Sequence, residues 1–314
     1  MQKYIYFYNV PRNRWWVYQR ERFPLIAYAL LVFVFSIAAI GYSHVVAGQI
    51  GIPDTKVVLV SFVGSFIIFA LLRIADEFKD FDDDVRYRPY RAVPRGLVTL
   101  SELGALGVVL ATVQLGLALA YSSELALLLL VVWAYFLLMS KEFFVPTWLK
   151  AHPVAYLTSH MLIMPLIALY ASAPVWLDSE TGMPNELPSF LIMSFFIGIA
   201  CEIGRKIRAP KDEEPGVETY SALWGRGHAL VVWFTMLLVA GGLALKTAQV
   251  IGMALPLSIS LVVLFSIALG VALKLILAPQ TRYAKAIELI SGLWALAIYG
   301  SLGLAAVVPT LIRT

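Results

Sequence analysis

Long apolar runs alternate with short charged segments along the whole chain. A hydrocarbon layer of roughly 30 Å takes about 20 helical residues to cross, and nine stretches meet that requirement: 24–46, 55–75, 102–121, 124–140, 153–173, 189–206, 228–247, 251–273 and 285–308. The pattern predicts an all-α integral membrane protein, nine transmembrane helices in a bundle. No polar, Pro/Ser-rich linker divides the runs, so 1–314 reads as a single transmembrane domain.

The charged connections give the bundle a direction. Basic residues stay preferentially on the cytoplasmic side of a membrane. The segment before the first run and the 2–3, 4–5, 6–7 and 8–9 connections hold 21 of the 24 Lys and Arg; Lys56, Lys246 and Arg313 are the others. The expected topology therefore has a cytoplasmic N-terminus and an outward C-terminus. The two most charged connections, 76–98 and 202–227, follow the second and sixth runs and end in similar phrases, VPRGLVTL and LWGRGHAL. The two phrases hint at repeated four-helix units plus one extra helix, which would bring both loops to one cytoplasmic mouth.

Composition agrees. The chain is 60% hydrophobic and 14% charged, far from the roughly 45–50% and 25% of soluble domains, and its mean hydropathy is +0.81. A bacterial-type inner membrane, with the active site on the cytoplasmic side, is the expected location. Residues 1–22, MQKYIYFYNVPRNRWWVYQRER, are basic and aromatic without an apolar signal core, and read as an interfacial segment rather than a cleaved leader. One cysteine, Cys201, excludes an internal disulfide or a Cys-rich zinc site. A formal charge of +4 is too small a bias to argue for nucleic acid.

The chemistry concentrates in ADEFKDFDDDVRYRPYRAVPRG, residues 75–96. Asp76, Asp80 and Asp84 recur at i, i+4 and i+8, which on a continuing helix aligns their carboxylates. Like charges so placed repel and call for a cation; hard oxygens suit Mg²⁺, which bridges one or two carboxylates to phosphates. Arg86, Arg88, Arg91 and Arg95 follow as forks for anionic oxygens. The competing reading is a solvated acidic helix end.

The segment D76-E77-x-x-D80-x-x-x-D84, with Arg91 and Pro94-Arg95-Gly96 after it, resembles the first aspartate-rich motif of the UbiA-type intramembrane prenyltransferases. Asp76 and Glu77 stand for that family's Asn-Asp, and Ala92 for the proline after arginine. The nine-helix count matches the family too. The resemblance implies a Mg²⁺-dependent transfer of an isoprenoid chain from a polyprenyl diphosphate to an acceptor, with release of pyrophosphate and the donor's tail in a lipid-open cavity. It implies metal ligation by Asp76, Glu77, Asp80 and Asp84, with Asp80 and Asp84 central to catalysis, and diphosphate contact by Arg91 and Arg95.

The second motif of that family departs here. Counting back from Gly216 in D212-E-E-P-G-V-E-T-Y sets Asp212 on the last aspartate, as a further metal candidate, but sets Arg208 and Arg205 on the two earlier ones. Either Arg205, Lys206 and Arg208 grip phosphate in place of a second ion, Arg208 with a catalytic role, or they are a positive-inside flank with Glu202 paired at helical spacing. Lys141, beside Glu142, is a further diphosphate candidate or a snorkelling lysine. His160 lies within a span, where it either positions an acceptor or bonds helices together. Glu288 reads as an interfacial acid, and most of the 40 aromatic residues as belt or packing.

Other classes fit less well. The D-G-x-x-A-R opening of a CDP-alcohol phosphotransferase is absent. Transporter sites are expected near the bilayer midplane, whereas these acids sit at a helix end. A membrane terpene cyclase is the nearer rival, since it would ionise the same donor without an acceptor. Acceptor identity, chain length and oligomeric state are not legible.

Overall fold

The computed structural model describes residues 13–49, 51–177, 179 and 182–305. Among these there are helices and no strands. A short helix α1 (Arg14–Arg22) precedes the bundle; residues 1–12 of the expected interfacial segment lie outside the described part, as do 306–308 of the last expected span and Arg313. The others are α2 (Leu25–Val46), α3 (Thr55–Lys79), α4 (Phe81–Tyr87), α5 (Leu100–Tyr121), α6 (Ser123–Ser140), α7 (Pro146–Ala151), α8 (Pro153–Met161), α9 (Ile163–Trp176), α10 (Leu187–Arg205), α11 (Tyr220–Trp224), α12 (Arg226–Val250), α13 (Ala254–Leu277) and α14 (Thr281–Leu304).

Nine segments among the described residues are long and apolar enough to cross a membrane. They coincide with the nine expected runs to within a few residues, and the chain is an integral membrane protein. Local chemistry sets their ends. Asp54 caps α3 by accepting from the Lys56 amide at 2.7 Å, and Thr99 with Glu102 forms a capping box at the start of α5. The fifth span is α8 and α9 joined at Leu162. Pro165 lacks the amide hydrogen that would continue the ladder there, which accounts for the break.

Neighbouring spans pack in chain order, α2 on α3, α3 on α5, α5 on α6, α6 on α9, α9 on α10, α10 on α12, α12 on α13 and α13 on α14, and α14 returns against α2 to close the ring. The core is dominated by residues of α2, α9, α10, α12 and α14, including Tyr42, Tyr170, Phe190 and Trp233. A second, smaller core lies at the charged end, where Tyr18 of α1 meets Ile74, Ala92, Val93, Leu97, Val98 and Leu103. It folds the connection after α4 and the N-terminal helix into one packed layer. Beside that layer an apolar pocket of about 410 Å³ opens between α1, α3 and α5, walled by Trp15, Trp16, Phe66 and Leu106.

Candidate active site

The aspartates of the first motif do not form one row. α3 ends at Lys79, and Asp80, with φ −89° and ψ 2°, turns the chain before α4 starts. An α-helical ψ is near −42°, so Asp84 is redirected and the expected i, i+4, i+8 alignment stops at its second member.

The motif thus divides between two environments. Glu77 and Asp84 are buried in an arginine network on the α1 side. Arg22 Nε donates to Glu77 Oε1 at 2.6 Å, and Arg73 Nη2 to the same oxygen at 3.1 Å. Asp84 receives Arg88 at 2.6 Å and Arg91 at 2.8 Å, with Arg22 at 3.9 Å. Burial, reinforced by the Glu77 charge, raises the pKa of the neighbouring Tyr18 phenol and keeps it protonated. Arg95 joins the same layer, bonding Glu21 at 2.8 Å and the Tyr90 carbonyl at 2.7 Å. Arg91 and Arg95, expected at the diphosphate, therefore bind protein carboxylates and hold α1 in place.

Asp76 and Asp80 face the other way. The Asp76 side chain is 54% exposed, and the charges of Asp80 and of Arg205 on α10 both act on it. Its nearest cation is Arg73 at 3.6 Å. The Asp80 side chain makes no hydrogen bond or ion pair with any described residue, and its charge acts on Asp76 one turn away.

The opposite wall comes from the end of α10. Arg205, 57% exposed, lies within electrostatic reach of Asp76. Glu202 receives Arg205 at 2.6 Å and Lys206 at 3.0 Å, so both expected partners engage it at once. Two guanidinium nitrogens of Arg205 are committed to Glu202; Nη1 has no partner among the described residues and is left for an anion.

Arg208 and Asp212 build the loop instead. The Arg208 amide donates to Ser221 Oγ at 2.8 Å, its Nη1 donates to the Asp212 carbonyl at 3.2 Å, and Glu214 lies 3.6 Å away. Asp212 Oδ1 accepts from Thr281 at 2.7 Å, and Glu213 accepts from Thr219 and Ser221. The two charged loops do meet, as their repeated phrases imply: Tyr90 donates to Glu214 at 2.8 Å, and the Tyr87 ring packs on Gly216, whose φ of +73° and lack of a side chain permit the contact. Burial, followed by the hydrogen bond to Glu214 and its charge, pushes the pKa of the Tyr90 phenol up.

The five-residue metal set expected from sequence does not assemble. Among the described residues no three His, Cys, Asp or Glu side chains converge. Glu77 and Asp84 are neutralised by arginines, and Asp212 is tied to Thr281. What remains is Asp76 and Asp80, a pair of hard carboxylates one helical turn apart with Asp80 unpartnered. That pair suits Mg²⁺, which commonly takes one or two carboxylates and completes its shell with water and phosphate oxygens.

Four residues at the site were not singled out by sequence reasoning: Arg22, Arg73, Lys79 and Tyr156. Lys79 Nζ lies 3.1 Å from Glu142 and bonds Tyr156 Oη and His160 Nε2. Glu142 reaches inward from a turn in which Glu142, Phe143 and Phe144 all have positive φ, 48°, 52° and 61°. Left-handed backbone costs roughly 1–2 kcal/mol per non-glycine residue. Lys141, the expected diphosphate contact, is exposed, and its neighbour Glu142 is the buried one.

Comparison with known proteins completes the identification. The sequence model of the UbiA prenyltransferase family matches residues 33–293, and the chain belongs to that family. Among solved structures it resembles the apo form of a UbiA homolog from Aeropyrum pernix K1, with TM-score 0.65 and 15% identity over 89% of this chain and 98% of that one. It also resembles a digeranylgeranylglyceryl phosphate synthase, with TM-score 0.61 and 13% identity over 94% and 99%. These likenesses are of fold. No curated protein matches the chain.

Proposed function

We propose that the chain acts as one transmembrane unit that moves an isoprenoid chain from a polyprenyl diphosphate to an acceptor, releasing pyrophosphate, with its charged end on the cytoplasmic side. The observation that carries this reading is that Asp76, beside the unpartnered Asp80 side chain, lies within electrostatic reach of Arg205.

Asp76 and Asp80 are the residues that would hold Mg²⁺, and the bound ion would supply Lewis-acid stabilisation of the charge that grows on the diphosphate. Arg205 offers guanidinium hydrogens to the diphosphate oxygens, with Lys206 adding charge beside it. Glu202 fixes the orientation of both cations. Arg205 stands where the family's second motif has an earlier aspartate, so a basic group takes over part of the neutralisation. The allylic C–O bond breaks, its electron pair leaves with pyrophosphate, and the acceptor's nucleophile captures the allylic cation and gives up a proton. Preorganised charge aimed at the leaving group is the main source of such acceleration.

The test is to incubate the purified protein in lipid nanodiscs with Mg²⁺ and radiolabelled prenyl diphosphates of several lengths, using membrane extract as acceptor source. Prenylated product together with pyrophosphate is expected. Cyclised hydrocarbon without acceptor incorporation would establish the cyclase reading, and no turnover of any donor would refute both.

A further inference from the structure

The cavity has a wall that the donor does not use. α8 packs beside the end of α3, and there Lys79, Tyr156, His160 and Glu142 form one polar cluster. The His160 ring stacks on the Tyr156 ring at 3.9 Å with 13° between planes. His160 Nδ1 sits 2.8 Å from the Tyr156 carbonyl, which can only accept, so Nδ1 carries the hydrogen and Nε2 presents its lone pair. Lys79 Nζ lies 3.3 Å from that lone pair, 3.1 Å from Glu142 Oε1, and 2.5 Å from Tyr156 Oη. The three ammonium hydrogens thus each meet an acceptor.

That arrangement leaves one group over. Tyr156 Oη accepts from Lys79, and its own hydrogen has no acceptor among the described residues. A phenol that accepts from an ammonium donates more strongly, because hydrogen bonds in series polarise one another. Tyr156 and His160 are partly accessible. Tyr156 lies within electrostatic reach of Asp80, and His160 of Glu202, so the cluster lies near both the aspartate pair and the basic end of α10. Phe143 closes it edge-on to His160 at 6.2 Å.

Charge defines what the wall can take. Lys79 and Glu142 cancel, and Tyr156 and His160 add none, so this wall is polar but neutral. The opposite wall holds two cations against one carboxylate. An acceptor carrying a carboxylate would bring a further negative charge close to Asp76, Asp80 and the diphosphate, with no uncommitted cation on its own side. We propose that Tyr156, set by Lys79 and His160, is the acceptor subsite, and that it takes an uncharged hydroxyl- or phenol-bearing headgroup by donating a hydrogen bond to its oxygen. This rests on the prenyl-transfer reading and narrows it to neutral acceptors.

The test is a saturation-transfer NMR titration of hydroquinone and of 4-hydroxybenzoate against the whole protein in nanodiscs. Wild type is expected to bind hydroquinone at least about fivefold more tightly. Tyr156→Phe keeps the stack on His160 and is expected to weaken hydroquinone about tenfold, the loss of one net hydrogen bond, with the affinity for a radiolabelled prenyl diphosphate unchanged. Preference of the wild type for the carboxylate, binding of neither probe, or equal hydroquinone affinity in Tyr156→Phe would each overturn the proposal. Should the variant unfold, the wild-type preference decides alone. Failure of the donor-turnover assay is a separate result that this titration does not read.

Discussion

Asp76, in the last turn of α3, and Arg205, the last residue of α10, lie within electrostatic reach of each other with more than half of each side chain accessible. Carboxylate and guanidinium this near, without the close contact of an ion pair, form a site suited to an anion that brings a divalent cation with it.

Glu77 shares Arg73 with Asp76 but is buried against Arg22, whereas Asp76 is more than half exposed. Arg22 and Glu77 are 9% and 1% exposed, and removing one partner of a buried pair costs roughly 3–5 kcal/mol. Glu77→Ala should lower the thermal midpoint by several degrees and loosen α1. Limited proteolysis near Arg22 together with a melting curve checks this; an unchanged melt with lost turnover would place Glu77 at the metal instead.

Arg205 and Arg208 should part company in the same manner. Arg205→Ala removes a free donor from the cavity and should raise the apparent KM for the prenyl diphosphate about tenfold, the loss of one charge-assisted hydrogen bond, with little change in melting. Arg208→Ala removes the bond to the Asp212 carbonyl and should lower the melting temperature with a smaller effect on KM. Steady-state kinetics and melting curves on both variants distinguish the roles.

Gly216 joins the two charged loops. A side-chain carbon there would lie about 2.5 Å from the Tyr87 ring, on a residue with φ of +73°. Gly216→Ala should therefore cost about 1–2 kcal/mol from the left-handed backbone alone and more from the clash, undocking 212–219 from the connection after α4. Hydrogen exchange should speed up in that segment while α2 and α14 stay protected.

Much of the fold was legible because each span must satisfy its own backbone in lipid, and the nine runs follow from local sequence; the break near Leu162 was not read from it. The bend at Asp80 did not show, since nothing in D-F-D-D-D marks where a helix turns. Partners far apart in sequence were likewise out of reach. Arg22 and Glu77 are 55 positions apart, and Lys79 and Tyr156 are 77. The acidic motif announced a charged site, but which carboxylates enter the cavity is decided by how α1 docks, and a spacing rule carries no information about that.

The most direct test measures Mg²⁺-dependent pyrophosphate release from a radiolabelled prenyl diphosphate by four variants, each assayed below its own melting temperature. Asp76→Asn and Asp80→Asn should lose at least about 100-fold, as the removal of one charge-stabilising group does elsewhere, while Glu77→Gln and Asp84→Asn keep their Mg²⁺ dependence and melt earlier. Full activity in the first pair, or abolished Mg²⁺ dependence in well-folded members of the second, would contradict the account.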